Sequence, residues 1–141
     1  MSSRNLENLA RIGSLTREPP DASEIAALLR SGRARLHDAR RPELAFESRF
    51  DLGYNAAHSL ALAALRANGY RSDKRYLVFQ CLGDTLGLAP DQSTLLSTCH
   101  KYRNVAEYEG HFEVDERLLG EMLEVVASML DKAKLAGIDS S

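Results

Sequence analysis

The chain has 141 residues, 44% of them hydrophobic and 27% charged, with nine Gly, four Pro and no Trp. That length suits one domain with a proper core, and the composition is globular and excludes a disordered chain. Net charge is −2, no apolar run approaches the ~20 residues of a membrane span, and the N-terminus lacks the apolar block of a secretory signal, so the sequence reads as cytoplasmic with no membrane partner.

Residues 1–20 are polar and Arg-bearing, with Leu6, Leu9, Ala10 and Ile12 able to form one short amphipathic turn. Pro19 and Pro20 stop any helix there, because proline lacks an amide donor and biases the preceding residue toward extended backbone. The segment reads as a flexible N-terminal arm. A helical bundle domain is expected over residues 21–136 and a disordered tail over 137–141.

The first strong helix pattern runs from residue 21 to about 39. Asp21 or Ser23 can cap it, and Glu24 suits the positive end of its dipole. Ile25, Leu28, Leu29 and Leu36 recur at helical spacing, although Ser31-Gly32 weakens the middle. Arg30, Arg33, Arg35, Arg40 and Arg41 make it the most basic element, either a phosphate-contacting surface or a solvated face. The longest helix follows, from residue 44 or 45 to 68, with Phe46, Phe50, Ala57, Leu60, Ala61, Ala64 and Leu65 on a broad apolar face. Its second half is rich enough in Ala and Leu to be buried nearly all round, and Gly69 is a natural left-handed stop. Arg49, Tyr54, Asn55 and His58 lie along its first half.

A polar Arg-rich connector at 70–75 leads to a shorter helix, about 75–86, and Gly87 to Pro90 end it. Asp91 or Ser93 starts the next helix, which should stop at Gly110. Asp115 caps a last helix, 116 to about 135, with Leu118, Leu119, Met122, Val125, Val126, Met129 and Leu130 on one side. No strand pattern stands out. The fold class is therefore all-α, an antiparallel up-down bundle of four main helices plus one shorter helix.

The chemistry-bearing stretch is His100 to His111. Advancing about 100° per residue places His100, Arg103, Asn104, Glu107 and His111 on one polar face, and Cys99, Tyr102, Val105 and Ala106 on the core side. No Gly-rich phosphate loop, His-Glu-x-x-His motif or nucleophile elbow occurs, so no cofactor and no metal are implied. Cys81 and Cys99 have no Cys-x-x-Cys partner and read as free buried thiols. Charge is split, with 13 Lys/Arg against 9 Asp/Glu in residues 1–75 and 5 against 11 in residues 76–141. That asymmetry can orient two copies of the chain or offer a mildly basic surface to RNA.

Arg49-Phe50-x-x-x-Tyr54-Asn55-Ala56-Ala57, the Ala/Leu-rich helix ending Gly69-Tyr70-Arg71, and downstream Arg103-Asn104-x-x-x-Tyr108 together resemble the HEPN superfamily (higher eukaryote and prokaryote nucleotide-binding domains) over residues 21–135. The resemblance implies a helix bundle that forms a homodimer through the polar face of its Arg-bearing helix. Many members are metal-independent RNases, often toxins of toxin–antitoxin or defence systems. Their signature is Arg, four to six residues, then His, two copies meeting across the dimer cleft. Here Tyr108 holds that His position, and His111 lies beyond it. The toxin variant with Tyr two residues after its His is unmatched, because Glu109 and Gly110 follow Tyr108.

Two readings follow. In the first, the protein is a dimeric binding module whose cleft is built from Arg103, Asn104, Glu107, Tyr108, Arg49, Tyr54, Asn55 and His58. RNA or a nucleotide would face the cleft, with an antitoxin or nucleotidyltransferase as a protein partner. In the second, it is an endoribonuclease drawing on Arg103, Asn104, Tyr108, His100 and His111. An Arg fork would stabilise phosphate charge and a histidine would exchange protons with the 2′- and 5′-oxygens.

Overall fold

A computed structural model describes residues 3–138. Among them are seven helices and one two-stranded ladder: α1 (Arg4–Arg11), β1 (Thr16–Arg17), α2 (Ala22–Ala39), α3 (Phe46–Ala67), β2 (Tyr70–Arg71), α4 (Arg75–Gln80), α5 (Leu82–Leu86), α6 (Pro90–Glu109) and α7 (Glu116–Leu135). The chain is thus mostly helical, with α2, α3, α6 and α7 as the four long elements. The single shorter helix expected at 75–86 is two, divided at buried Cys81. Among the described residues no helix is long and apolar enough to cross a membrane.

The core is organised around α3. Phe50, Tyr54, Ala56, Ala57, Leu60 and Leu65 are among its buried side chains, and α2, α4, α5, α6 and α7 all touch it. Small residues set how closely they approach. Gly32 was expected to weaken α2, yet the helix runs through it unbroken. A Cβ at Gly32 would stand 2.5 Å from Leu60 Cδ2, so glycine is what admits the leucine. Gly53 does the same toward α7, where a Cβ would meet Leu123 and Met122 at 2.8 Å. Glycine costs about 1 kcal/mol of helix propensity against alanine, and the close packing of large side chains offsets it.

The caps lie where the sequence places them. Asp21 accepts from the Ser23 and Glu24 amides, and Asp115 accepts from Leu118. Gly69 and Gly110 are left-handed, at φ 89° and 83°. The start of α6 comes before both expected positions, Asp91 and Ser93: Pro90 is its first residue, and the Gln92 side chain accepts from the Ala89 amide at 3.2 Å.

The N-terminal segment is not a loose arm. Ser3 caps α1, Leu6 and Leu15 are buried, and Ser3 and Asn5 both donate to Asp84. Thr16 and Arg17 then pair with Arg71 and Tyr70, forming the ladder that the sequence gives no sign of. A charged clasp holds this segment down. Fully buried Arg66 donates from Nε to Glu24 at 2.6 Å, and from its terminal nitrogens to the carbonyls of Glu18, Pro19 and Tyr70. Arg71 reaches both Glu18 and Glu24. These bonds hold the Glu24 carboxyl below its ordinary range, Arg71 acting first and Arg66 second. Of the tail expected at 137–141, residues 139–141 lie outside the described part; the Ile138 amide donates to the Ala133 carbonyl.

Candidate functional site

The first half of α3 presents Asp51, Tyr54, Asn55 and His58 at spacings of three, one and three, so they share one stripe. Opposite them, α6 brings His100, Arg103, Asn104 and Glu107 at the same kind of spacing, and α4 lays Arg75, Tyr76 and Phe79 along one end of the seam. Three helices thereby converge on the ring of Tyr54.

Tyr54 is 1% exposed, so its hydroxyl needs an internal partner. It finds His100, whose Nδ1 lies 2.8 Å away. On the far side of the imidazole, the Asn104 amide nitrogen approaches Nε2 at 3.2 Å. With Asn104 donating, Nε2 is the acceptor and Nδ1–H donates to the Tyr54 hydroxyl, which fixes a neutral tautomer. Burial lowers the His100 pKa, and the cations of Arg103 and Arg75 lower it further. Tyr76 and Phe79 flank the same ring, with centroids at 5.8 and 6.3 Å.

Two guanidiniums take opposite ends of this cluster. Arg103 stands over the Tyr54 ring at 4.9 Å, donates from Nε to Asp51 at 3.1 Å, and reaches Glu107 at 3.4 Å. Arg75 lies over the same ring at 5.5 Å and donates to the Asn55 side-chain oxygen at 2.9 Å. Cation–π contact orients both side chains, together with ion pairing for Arg103 and a hydrogen bond for Arg75. Charge at the face is close to balanced, two cations against Asp51 and Glu107.

His58 packs edge-on against Phe79 with centroids 6.2 Å apart. Burial, and then the Arg75 cation, push its pKa down from 6.5 to about 4. It is a neutral packing group at ordinary pH. The buried thiols of Cys81 and Cys99 are pushed up to about 11 and about 12, chiefly by burial, which leaves them unreactive.

The structure therefore gathers His100, Arg103, Asn104, Glu107, Tyr54, Asn55 and His58. It does not bring in the others. Arg49 is a strut elsewhere, donating to the Ala39 carbonyl at 2.8 Å and standing 3.7 Å from Glu116. Tyr108 is 94% exposed and touches none of the cluster. His111 is exposed beyond Gly110, beside Tyr102 and Glu113. Val105, expected on the core face, is 55% exposed, whereas Ala106 beside it is buried. Tyr102 does pack inward, its ring 4.9 Å from Phe50, with a buried hydroxyl that has no hydrogen-bond partner among the described residues.

Asp51 and Arg75 are the members that sequence reasoning missed. Asp51 lies one turn before Tyr54 and Asn55, so the helical period could have found it. Arg75 depends on how the short α4 packs, which no local pattern reports. Among the described residues no group of three or more His, Cys, Asp or Glu is arranged to hold a metal ion. No protein-family model, curated protein or solved structure matches the chain.

Proposed function

We propose that the chain is a HEPN-like binding module, an antiparallel helix bundle that pairs with a second copy across the outer face of α6. The observation that carries this is the pairing of two rows on the last turns of one helix. Arg103, Asn104 and Glu107 form a held polar row, while Val105 and Tyr108 beside them stand 55% and 94% exposed. An exposed tyrosine and valine bordering oriented polar groups is the composition of an interface centre with its rim. RNA or a nucleotide would enter the cleft between copies. An antitoxin or nucleotidyltransferase would be the partner in a toxin–antitoxin or defence setting.

A second reading, a metal-independent endoribonuclease, rests on the placement of His100 and Arg103 against the same tyrosine ring. Phosphate would have to displace Asp51 and Glu107 from Arg103, and a proton-transferring His100 would have to give up Tyr54 or Asn104. His111 lies outside this cluster. These engaged groups favour the binding module.

Light scattering tests the pairing. A dimer at tens of micromolar, lost in Tyr108→Ala with the helical signal intact, supports it; a monomer under the same conditions overturns it. Incubation with single-stranded and structured RNA in EDTA separates the two readings. Intact RNA agrees with the binding module, whereas cleavage abolished by Arg103→Ala establishes the nuclease.

A further inference from the structure

The basic side of α2 takes no part in the face described above. Ala26, Arg30, Arg33, His37 and Arg40 are all exposed there. Their spacings alternate four and three, which keeps them in one nearly straight row along a helix. Two recesses open beside the row. One, of about 500 Å³, has Ile25, Leu29, Ala67 and Ile138 among its walls. The other, of about 440 Å³, is walled by Leu36, Pro42 and Leu130. Arg33 lines both, so the two are neighbours along α2.

The arginines on this element divide into two kinds. Arg35 bonds Ser31 and Ser59, and Arg41 pairs with Glu43 at 2.9 Å. The side chains of Arg30 and Arg40 enter no hydrogen bond or ion pair among the described residues. Each flanks one recess.

We propose that this side of α2 is a docking groove for an acidic amphipathic helix of another protein. The recess centres lie about ten residues apart on α2, roughly 15 Å at 1.5 Å per residue. Apolar side chains three turns apart on a partner helix span that distance. Carboxylates flanking those anchors meet Arg30 and Arg40, giving the charge complementarity that sets orientation and partner choice. A nucleic acid fits less well, because no Phe, Tyr or Trp lines either recess to stack a base.

The test titrates isotope-labelled full-length chain with a short helical peptide bearing leucines three turns apart and flanking glutamates. A peptide with the same leucines but lysines for glutamates, and a short single-stranded RNA, run in parallel. Expected are amide shifts at residues 25–42 and at the recess walls around Ala67, Leu130 and Ile138 with the glutamate peptide. Arg30→Glu combined with Arg40→Glu should weaken that binding about tenfold or more and transfer preference to the lysine peptide. Both positions are exposed, and an unchanged spectrum outside α2 confirms the fold. Absence of shifts at saturating glutamate peptide overturns the proposal. So does their appearance with RNA alone, or on concentrating the chain by itself, which would assign the row to nucleic acid or to a second copy.

Discussion

Arg66 and Arg103 are both arginines held between two carboxylates, yet they do different work. Arg66 is fully buried, and besides Glu18 and Glu24 it serves three backbone carbonyls, so its fork is filled. Arg103 keeps 23% of its side chain in solvent, takes Asp51 and Glu107 at longer range, and borders exposed Val105 and Tyr108. A closed fork fastens the fold to itself. An open one, oriented but not filled, is available to something outside. Counting ion pairs does not distinguish them; burial and the remaining donors do.

The largest effect should come from opening the closed fork. Arg66→Ala leaves the carbonyls of Glu18, Pro19 and Tyr70 without their donor and empties a fully buried site, while Arg71 still holds Glu24, at a cost of about 3 kcal/mol or more, readable in urea unfolding. Arg66→Lys should not restore it, since one ammonium cannot reproduce the planar array. If Arg66→Ala costs under about 1 kcal/mol, the two regions are energetically alike.

The next effect is a pH dependence seated beside the open region. The folded pKa of His58 is about 4 against an ordinary 6.5, so the fold disfavours the charged ring. Above pH 6.5 both states hold it neutral and nothing is lost. As pH falls from 6.5 toward 4 the unfolded chain takes the proton first, and stability declines by about 3 kcal/mol. His58→Phe should shallow the decline across that window, leaving the part that His100 contributes, while keeping the edge contact with Phe79. A slope unchanged in the variant would place the effect elsewhere. Glu24 acts in a lower range, its contribution being lost only as pH falls below the ordinary 4.5.

The smallest effect on folding should be at the open fork itself. Arg103→Ala removes exposed ion pairs and a cation–π contact, about 1 kcal/mol or less by thermal unfolding. A loss approaching that of Arg66→Ala would mean that Arg103 is structural and would remove the contrast.

How far the sequence revealed this depended on the range of the forces involved. Asp21, Gly69, Gly110 and Asp115 mark helix ends through bonds to near neighbours, so local reading found them. The polar stripe of α6 and its counterpart on α3 follow from the helical period, and most of their residues meet. The ladder was illegible because two residues per strand cannot show alternation. The arm was misread because Leu6 and Leu15 are buried by residues far along the chain. Tyr108 and Arg49 carry the right residue types, but Tyr108 faces solvent and Arg49 is drawn to a carbonyl on α2.

The fastening of the N-terminal segment also bears on the order in which the chain assembles. Ser3 and Asn5 meet Asp84 across separations of 81 and 79 residues, and Arg66 meets Glu18 across 48. Closing such long loops costs entropy before any contact returns it. The α2–α3 seam closes a far shorter loop, so it can form early while the arm seats late. Weakening the clasp should therefore accelerate unfolding while leaving the refolding rate nearly unchanged. On this view the clasp sets the lifetime of the folded chain, and the seam around Gly32 sets how quickly it is reached.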